Sequence, residues 1–499
     1  MNGKLIKKFI FAAVLTLGLA IATIPSFRNH IFYLSFVDEE DNIVIGNYVS
    51  EGKKLYQDVF SQHQPTLFLL SAGWQKIVDP DNMRMVVKRH RELMIIWSII
   101  WIFILTSRFG WPLFFAGTVL ELTKIDFLGN LFLAESFVVY PLIYLVAYVL
   151  ESSHRPVNVE MFFVICLIWF VWFSLAPVWP LLGAILLWLI YETKQKKLVL
   201  SLILLIGLSF VVIMSGYIGI RQYWTDAIFI NYKHYIPLTT RIGLLPSLLK
   251  AFLAPIFALW SSGGALLNVI KVLSLGFIIQ IFWLIKDKLY GKAIMFIAIL
   301  GLSNLRYIDP STTLYGAFHM LPWFGLLIFF NILEITKHKL NIVLITVIFI
   351  VTLGVAKHSL WDRRDISTDY YVHFSPLEDI RKAVEIIASE GGHTIWVEPV
   401  QYWPHWRTGA GQFTTMVNYY GWMNQTPPLK QELKGALSSS LPTIVWAENT
   451  RLGIGDYLSQ YTSIYRDDKA TSLYLRSDKI PSLSPKQRQD LSYYRFEIN

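Results

Sequence analysis

The chain has 499 residues, 54% of them hydrophobic and only 16% charged, where a soluble domain carries about 25% charge. That composition, with a mean hydropathy of +0.46, excludes a soluble globular domain and points to a polytopic membrane protein. The formal charge of +9 is then a matter of topology, because Lys and Arg are retained in cytoplasmic loops, and it implies no nucleic-acid partner. The single cysteine, Cys166, lies inside the apolar run MFFVICLIWFVWF, which excludes an internal disulfide and a cysteine metal cluster.

A spanning helix needs roughly 20 apolar residues, fewer where interfacial aromatics help its ends. About eleven spans are expected on that measure, near 8–25, 92–107, 110–122, 131–150, 159–175, 177–191, 198–217, 263–285, 291–305, 317–335 and 340–357. The first begins KLIKKF and has the basic start and apolar core of a signal peptide. ATIPS lacks a small-residue cleavage site, so it reads as an uncleaved anchor. Lys4, Lys7 and Lys8 place the N-terminus inside. The loops carrying Lys194, Lys196 and Lys197, then Lys286, Lys288 and Lys292, then Lys337 and Lys339 fall on the same side. The cluster KRHRE at 88–92 falls outside and reads as an anchor to anionic lipid phosphates.

This parity puts the segment 26–91 outside, and its start holds four acids in a row, Asp38, Glu39, Glu40 and Asp41. A charge run is by default a solvated loop. Against that stand its place just beyond the first span and the pattern that follows, G-x-Y-x-x-x-G-x-x-x-Y-x-D at Gly46, Tyr48, Gly52, Tyr56 and Asp58, with Pro65 opening an amphipathic stretch. Further along, Glu121, Lys124 and Asp126 fall between spans three and four, and Glu135 falls inside span four. A carboxylate within a span is a functional hypothesis by default; the plainer reading is an ion pair of Glu135 with Lys124. The segment 218–250 reads as an external loop carrying Asp226, Tyr232, Lys233 and His234, and Trp260 followed by SSGG reads as a helix break. Before a late span comes RYIDPSTTLYGAFHMLP, with Arg306, Tyr307, Pro310, His319 and Pro322.

After about residue 358 the character changes. TIWVEPV, TIVWAE and SLYLR read as strands. SPLEDIRKAVEIIASEGG reads as a helix with Ser375 as N-cap, Pro376 at the first position, Glu378 closing a capping box and Gly391 past the end. TGAGQF reads as a turn and PSLSPK as a surface tail. The expected organisation is a membrane domain over 1–357, with its external loop at 26–91, and a small external α/β domain over 358–499.

An acidic pair in the first external loop followed by G…LYQDVFSQHQP, together with the distant RY..P segment, resembles the GT-C superfamily of integral-membrane glycosyltransferases. That group includes the protein O-mannosyltransferases and the aminoarabinose transferases. The resemblance implies a GT-C-like helical fold in a bacterial-type plasma membrane with the C-terminal domain outside. It implies transfer of a sugar, with inversion, from a polyprenyl-phosphate donor to the hydroxyl of a lipid, an envelope glycan or a protein. Asp38 is then the expected general base, and Glu39 either positions the acceptor or, with Asp58, helps hold a divalent cation. Clustered carboxylates also suit Mg²⁺ or Mn²⁺, for which Asp38 and Asp58 are the candidate ligands. Arg306 is the expected clamp on the leaving phosphate, with Tyr307 and His319 beside it, while Tyr56, Lys124 and Glu135 are accessory. The competing class is a transporter or flippase, which binds substrate near the midplane on broken, repeated helices; no repeat is visible here.

Overall fold

The computed structural model describes residues 3–151, 159–239, 244–303, 305, 317–333, 340–399, 401–448, 452–466 and 471–496. The chain folds as two compact units. One is formed by Met1–Ile31, Arg89–Val211 and Ile242–Asp365, the other by Phe32–Lys88, Val212–Arg241 and Ile366–Asn499. This partition departs from a single cut at 357/358, because the acidic segment after the first helix packs with the C-terminal residues. Arg306, Tyr307 and Pro310, and the basic pair Lys337 and Lys339, lie outside the described residues.

The first unit is helical. Each expected apolar segment contains a helix, and among the described residues five helices are long and apolar enough to cross a membrane: Ile6–Asn29, Met83–Phe109, Ala134–Glu151, Lys196–Ser215 and Ala265–Lys286. The others, among them Trp111–Thr123, Val159–Trp172, Tyr290–Leu302 and Leu321–Leu333, are shorter. Ala134–Glu151 and Leu321–Leu333 are buried along almost their whole length. They approach closely at Gly325, where an added Cβ would lie 2.5 Å from Val139. Lys196–Ser215 instead exposes Leu204, Leu205, Leu208, Val212 and Ile213, as a helix does when its solvent is lipid. Between helices the buried Asn331 amide donates to the Leu273 carbonyl at 2.9 Å, and Gln280 donates to the Asn331 carbonyl at 2.9 Å. Such bonds tie apolar helices that gain nothing from the hydrophobic effect in a bilayer.

The second unit is built on a five-stranded sheet of order β2-β1-β3-β5-β4, with β1 Thr394–Glu398, β2 Gly411–Gln412, β3 Ile444–Ala447, β4 Tyr461–Arg466 and β5 Ser472–Arg476. β1 runs parallel to β2 and β3, while β3 and β4 pair antiparallel with β5. The three strands read from sequence are β1, β3 and β5. Helices Ser375–Ala388 and Pro485–Tyr493 cover one apolar layer of the sheet, through Ile380, Val384, Ile387 and Leu491.

Several local readings need correction. Helix Ser375–Ala388 is capped by Phe374 with no side-chain cap bond, and Glu378 pairs instead with Arg381 at 2.8 Å. The capping box of this unit is in PSLSPK, where the Ser484 hydroxyl accepts from the Gln487 N–H and the Gln487 side chain accepts from the Ser484 N–H. The expected loop 218–250 is largely helical, with Ile220–Tyr223 running into a π-helix over Trp224–Tyr235. It docks by Tyr223 donating to Gln64 at 2.9 Å and Asn231 to the Gln62 carbonyl at 2.8 Å. In KRHRE, His90 and Arg91 are buried, and Arg91 donates to the Ile31 carbonyl at 2.8 Å. Arg91 thus takes no part in anchoring to lipid phosphates, while the Lys88 and Arg89 side chains stay exposed. The break after Trp260 is present: helix Ala254–Trp260 ends there and Ala265–Lys286 begins after the glycines.

Candidate functional site

The acidic run is not a loop. Asp38, Glu39 and Glu40 form the first turn of helix Val37–Ser50, and a helical repeat spreads four consecutive side chains around the axis. Their environments therefore differ. Asp38 is half-buried, whereas Glu39, Glu40 and Asp41 are buried at 1%, 1% and 5% exposure. A buried carboxylate must be hydrogen-bonded or neutral. Glu40 accepts from the Ser35 hydroxyl and from the Tyr402 backbone N–H at 3.1 Å, and burial pushes its carboxyl up to about 7. Asp41 is raised well above the usual carboxylate range by burial and by the Asp38 charge, and lies 3.9 Å from the His63 ring. Tyr402, buried, and Tyr420, half-buried, lie beside this cluster, and their hydroxyls are held protonated by burial and by the charges of Asp41 and Asp38.

The glycine and tyrosine pattern that follows is explained by packing. Gly46 meets helix Thr66–Val78 so closely that an added Cβ would sit 2.4 Å from the Ser71 hydroxyl. The Tyr48 hydroxyl bonds to His405 Nδ1 at 2.9 Å, and burial pushes that imidazole down to about 3, so it is neutral at physiological pH. Gly52 takes a φ of +97° in the turn after the helix, a conformation that costs glycine nothing. The Tyr56 hydroxyl donates to the His63 carbonyl at 2.7 Å, and Asp58 accepts the Lys54 backbone N–H at 2.8 Å.

Asp58 is thus an exposed turn residue. Among the described residues no group of three or more His, Cys, Asp and Glu side chains is arranged to hold a metal ion.

In the helical unit, Lys124 does not pair with Glu135. Its ammonium donates to Glu121 and to the Ser98 hydroxyl, both at 2.7 Å, and Tyr140 also donates to Glu121. Glu121 is one helical turn away from Lys124, so the nearer carboxylate wins. Glu135 instead meets His319 Nδ1 at 2.7 Å, which joins two residues that sequence reading had placed in separate roles. Sequence reading missed Tyr402, Tyr420 and His63 altogether. The one available signal was the aromatic density of QYWPHWRTGAGQF, which has no periodicity to connect it with residue 40. Comparison with known proteins finds no family model that matches the chain and no curated sequence that does.

Proposed function

We propose that the chain is an integral-membrane glycosyltransferase of the GT-C type, crossing the bilayer eleven times. It would move a sugar from a polyprenyl-phosphate donor to an acceptor hydroxyl at the outer face of a bacterial-type plasma membrane. The observation that carries this reading is the asymmetry of the acidic turn: three carboxylates are buried and one, Asp38, keeps part of its surface. A base must reach the proton it removes, and Asp38 is the acid of the four that can. It takes the proton of the acceptor hydroxyl as that oxygen bonds to the anomeric carbon. The sugar–phosphate bond breaks, and its electron pair leaves on the lipid phosphate. Glu39, Glu40 and the two tyrosines hold the turn. Arg306 and Tyr307 keep the phosphate-binding role that the resemblance implies, and His319 is oriented by Glu135.

The test uses the purified chain in detergent with a radiolabelled polyprenyl-phosphate sugar and measures free polyprenyl phosphate. Transfer should release it, and Asp38→Asn should lower the rate by about 10², the scale of a lost general base. Full activity in Asp38→Asn would remove the assigned base. With the chain reconstituted into vesicles, uptake of the labelled sugar without release of lipid phosphate would establish a carrier instead.

A further inference from the structure

A groove of about 560 Å³ opens in the second unit, lined by Asn47, Glu51, Gln75, Lys76, Asp79 and Arg407 and completed by Ser50 and Gly409. We propose that this groove binds a neutral saccharide chain. Binding here does not rest on the transfer reading, since a carrier or a sensor would use the same groove.

The lining carries no apolar side chain. Aliphatic surface comes instead from the stems of Lys76 and Arg407 beside their charged ends, and such a mixture suits a ligand that carries hydroxyls on a hydrocarbon ring. The charges of Glu51 and Asp79 balance those of Lys76 and Arg407, which favours neither a phosphate nor a cation. Hydroxyls both donate and accept, and the exposed Glu51 and Asp79 carboxylates, the Lys76 ammonium and the half-buried Arg407 guanidinium can meet them.

The wall is also held in place before any ligand arrives. Gln75 and Asn47 are buried at 0% and 1% exposure. Gln75 accepts from the Trp406 indole N–H at 3.0 Å and donates to the Ile43 carbonyl at 2.8 Å. Asn47 donates to Glu51 at 2.7 Å and accepts from Arg407 Nε at 3.3 Å. Arg407 reaches Asp79 at 3.0 Å and the Pro80 carbonyl at 2.6 Å. Both members of that ion pair take left-handed backbone conformations, with φ of +50° at Arg407 and +36° at Asp79. Such conformations are costly for non-glycine residues and persist where the surroundings dictate them, often at ligand clamps. A preorganised wall lowers the cost of binding a flexible chain.

The experiment is saturation-transfer NMR on the full chain in lauryldimethylamine oxide, a detergent without a sugar headgroup. The probes are cellotetraose, maltotetraose, mannotetraose and chitotetraose, and no donor lipid is present. At least one should receive saturation. Ser50→Trp, which fills the groove, should abolish the transfer. Lys76→Ala, an exposed position, should weaken binding by about threefold or more through one lost charge-assisted hydrogen bond. Lys434→Ala, on the exposed face of another helix, should leave binding unchanged. No transfer to any of the four would overturn the proposal. So would wild-type binding in both groove variants, which would put the saccharide elsewhere. Binding of a Lys- and Asp-containing tetrapeptide that is lost in Ser50→Trp, with all four saccharides silent, would make the groove a peptide site.

Discussion

Glu40 offers the sharpest test of the buried acidic turn. Its carboxyl titrates at about 7 in the fold against an ordinary 4.5, so between those values the folded chain holds a proton that the unfolded chain has lost. The folded state is therefore favoured most below the ordinary value, and that contribution disappears as pH rises through the folded value. With 1.36 kcal/mol for each pH unit between the two values, the loss approaches about 3 kcal/mol. Glu40→Gln removes the titration while keeping an oxygen to accept the Tyr402 N–H and a shape close to that of the acid. The variant should match the wild type near about pH 5 and exceed it near about pH 8. The assay is the unfolding midpoint in detergent, followed by tryptophan fluorescence at both pH values. Asp41 and Asp226, also raised by burial, tilt both proteins alike, so the difference between them isolates Glu40. Identical pH dependence in the two proteins would refute the burial argument, and a variant less stable at high pH would show that the carboxylate is wanted charged.

At Gly46 an alanine methyl would clash with Ser71 and push helix Thr66–Val78 away, and overpacking of this kind costs about 1–3 kcal/mol. Ser71→Gly in the same chain should recover most of that loss in a double-mutant cycle, and additive losses would mean that the two residues do not touch. Lys124→Met leaves the Glu121 carboxylate buried without its cation, which should cost about 3–5 kcal/mol and appear as a lowered unfolding midpoint. Adding Glu121→Gln should restore part of it, and a midpoint unchanged by the single variant would show that the pair is not buried. Ser484→Ala removes the capping box of the last helix at a cost of about 1 kcal/mol, whereas Ser375→Ala should be nearly silent; hydrogen exchange in the two helices distinguishes these outcomes.

Patterns written within one segment were legible in the sequence. Runs such as FVVYPLIYLVAYVL form helices, TIWVE and SLYLR form strands and SSGG breaks a helix, because hydrophobic period and backbone freedom act over a few residues. Whether an acid faces solvent is a different kind of question. DEED reads as one charged patch, yet a single helical turn divides it, and its fate depends on residues such as Tyr402, 362 positions away. Lys124 had two carboxylates within plausible reach, and the Glu135–His319 contact left it to Glu121. Ser375 and Ser484 stand in similar local sequence, but only Ser484 caps its helix through its side chain. For Glu40 and for Glu135 the deciding partner lies outside the local window. Desolvation, unlike periodicity, is a property of the packed whole, so the chain's local text determined its elements while tertiary packing decided which of its charges remain available for chemistry.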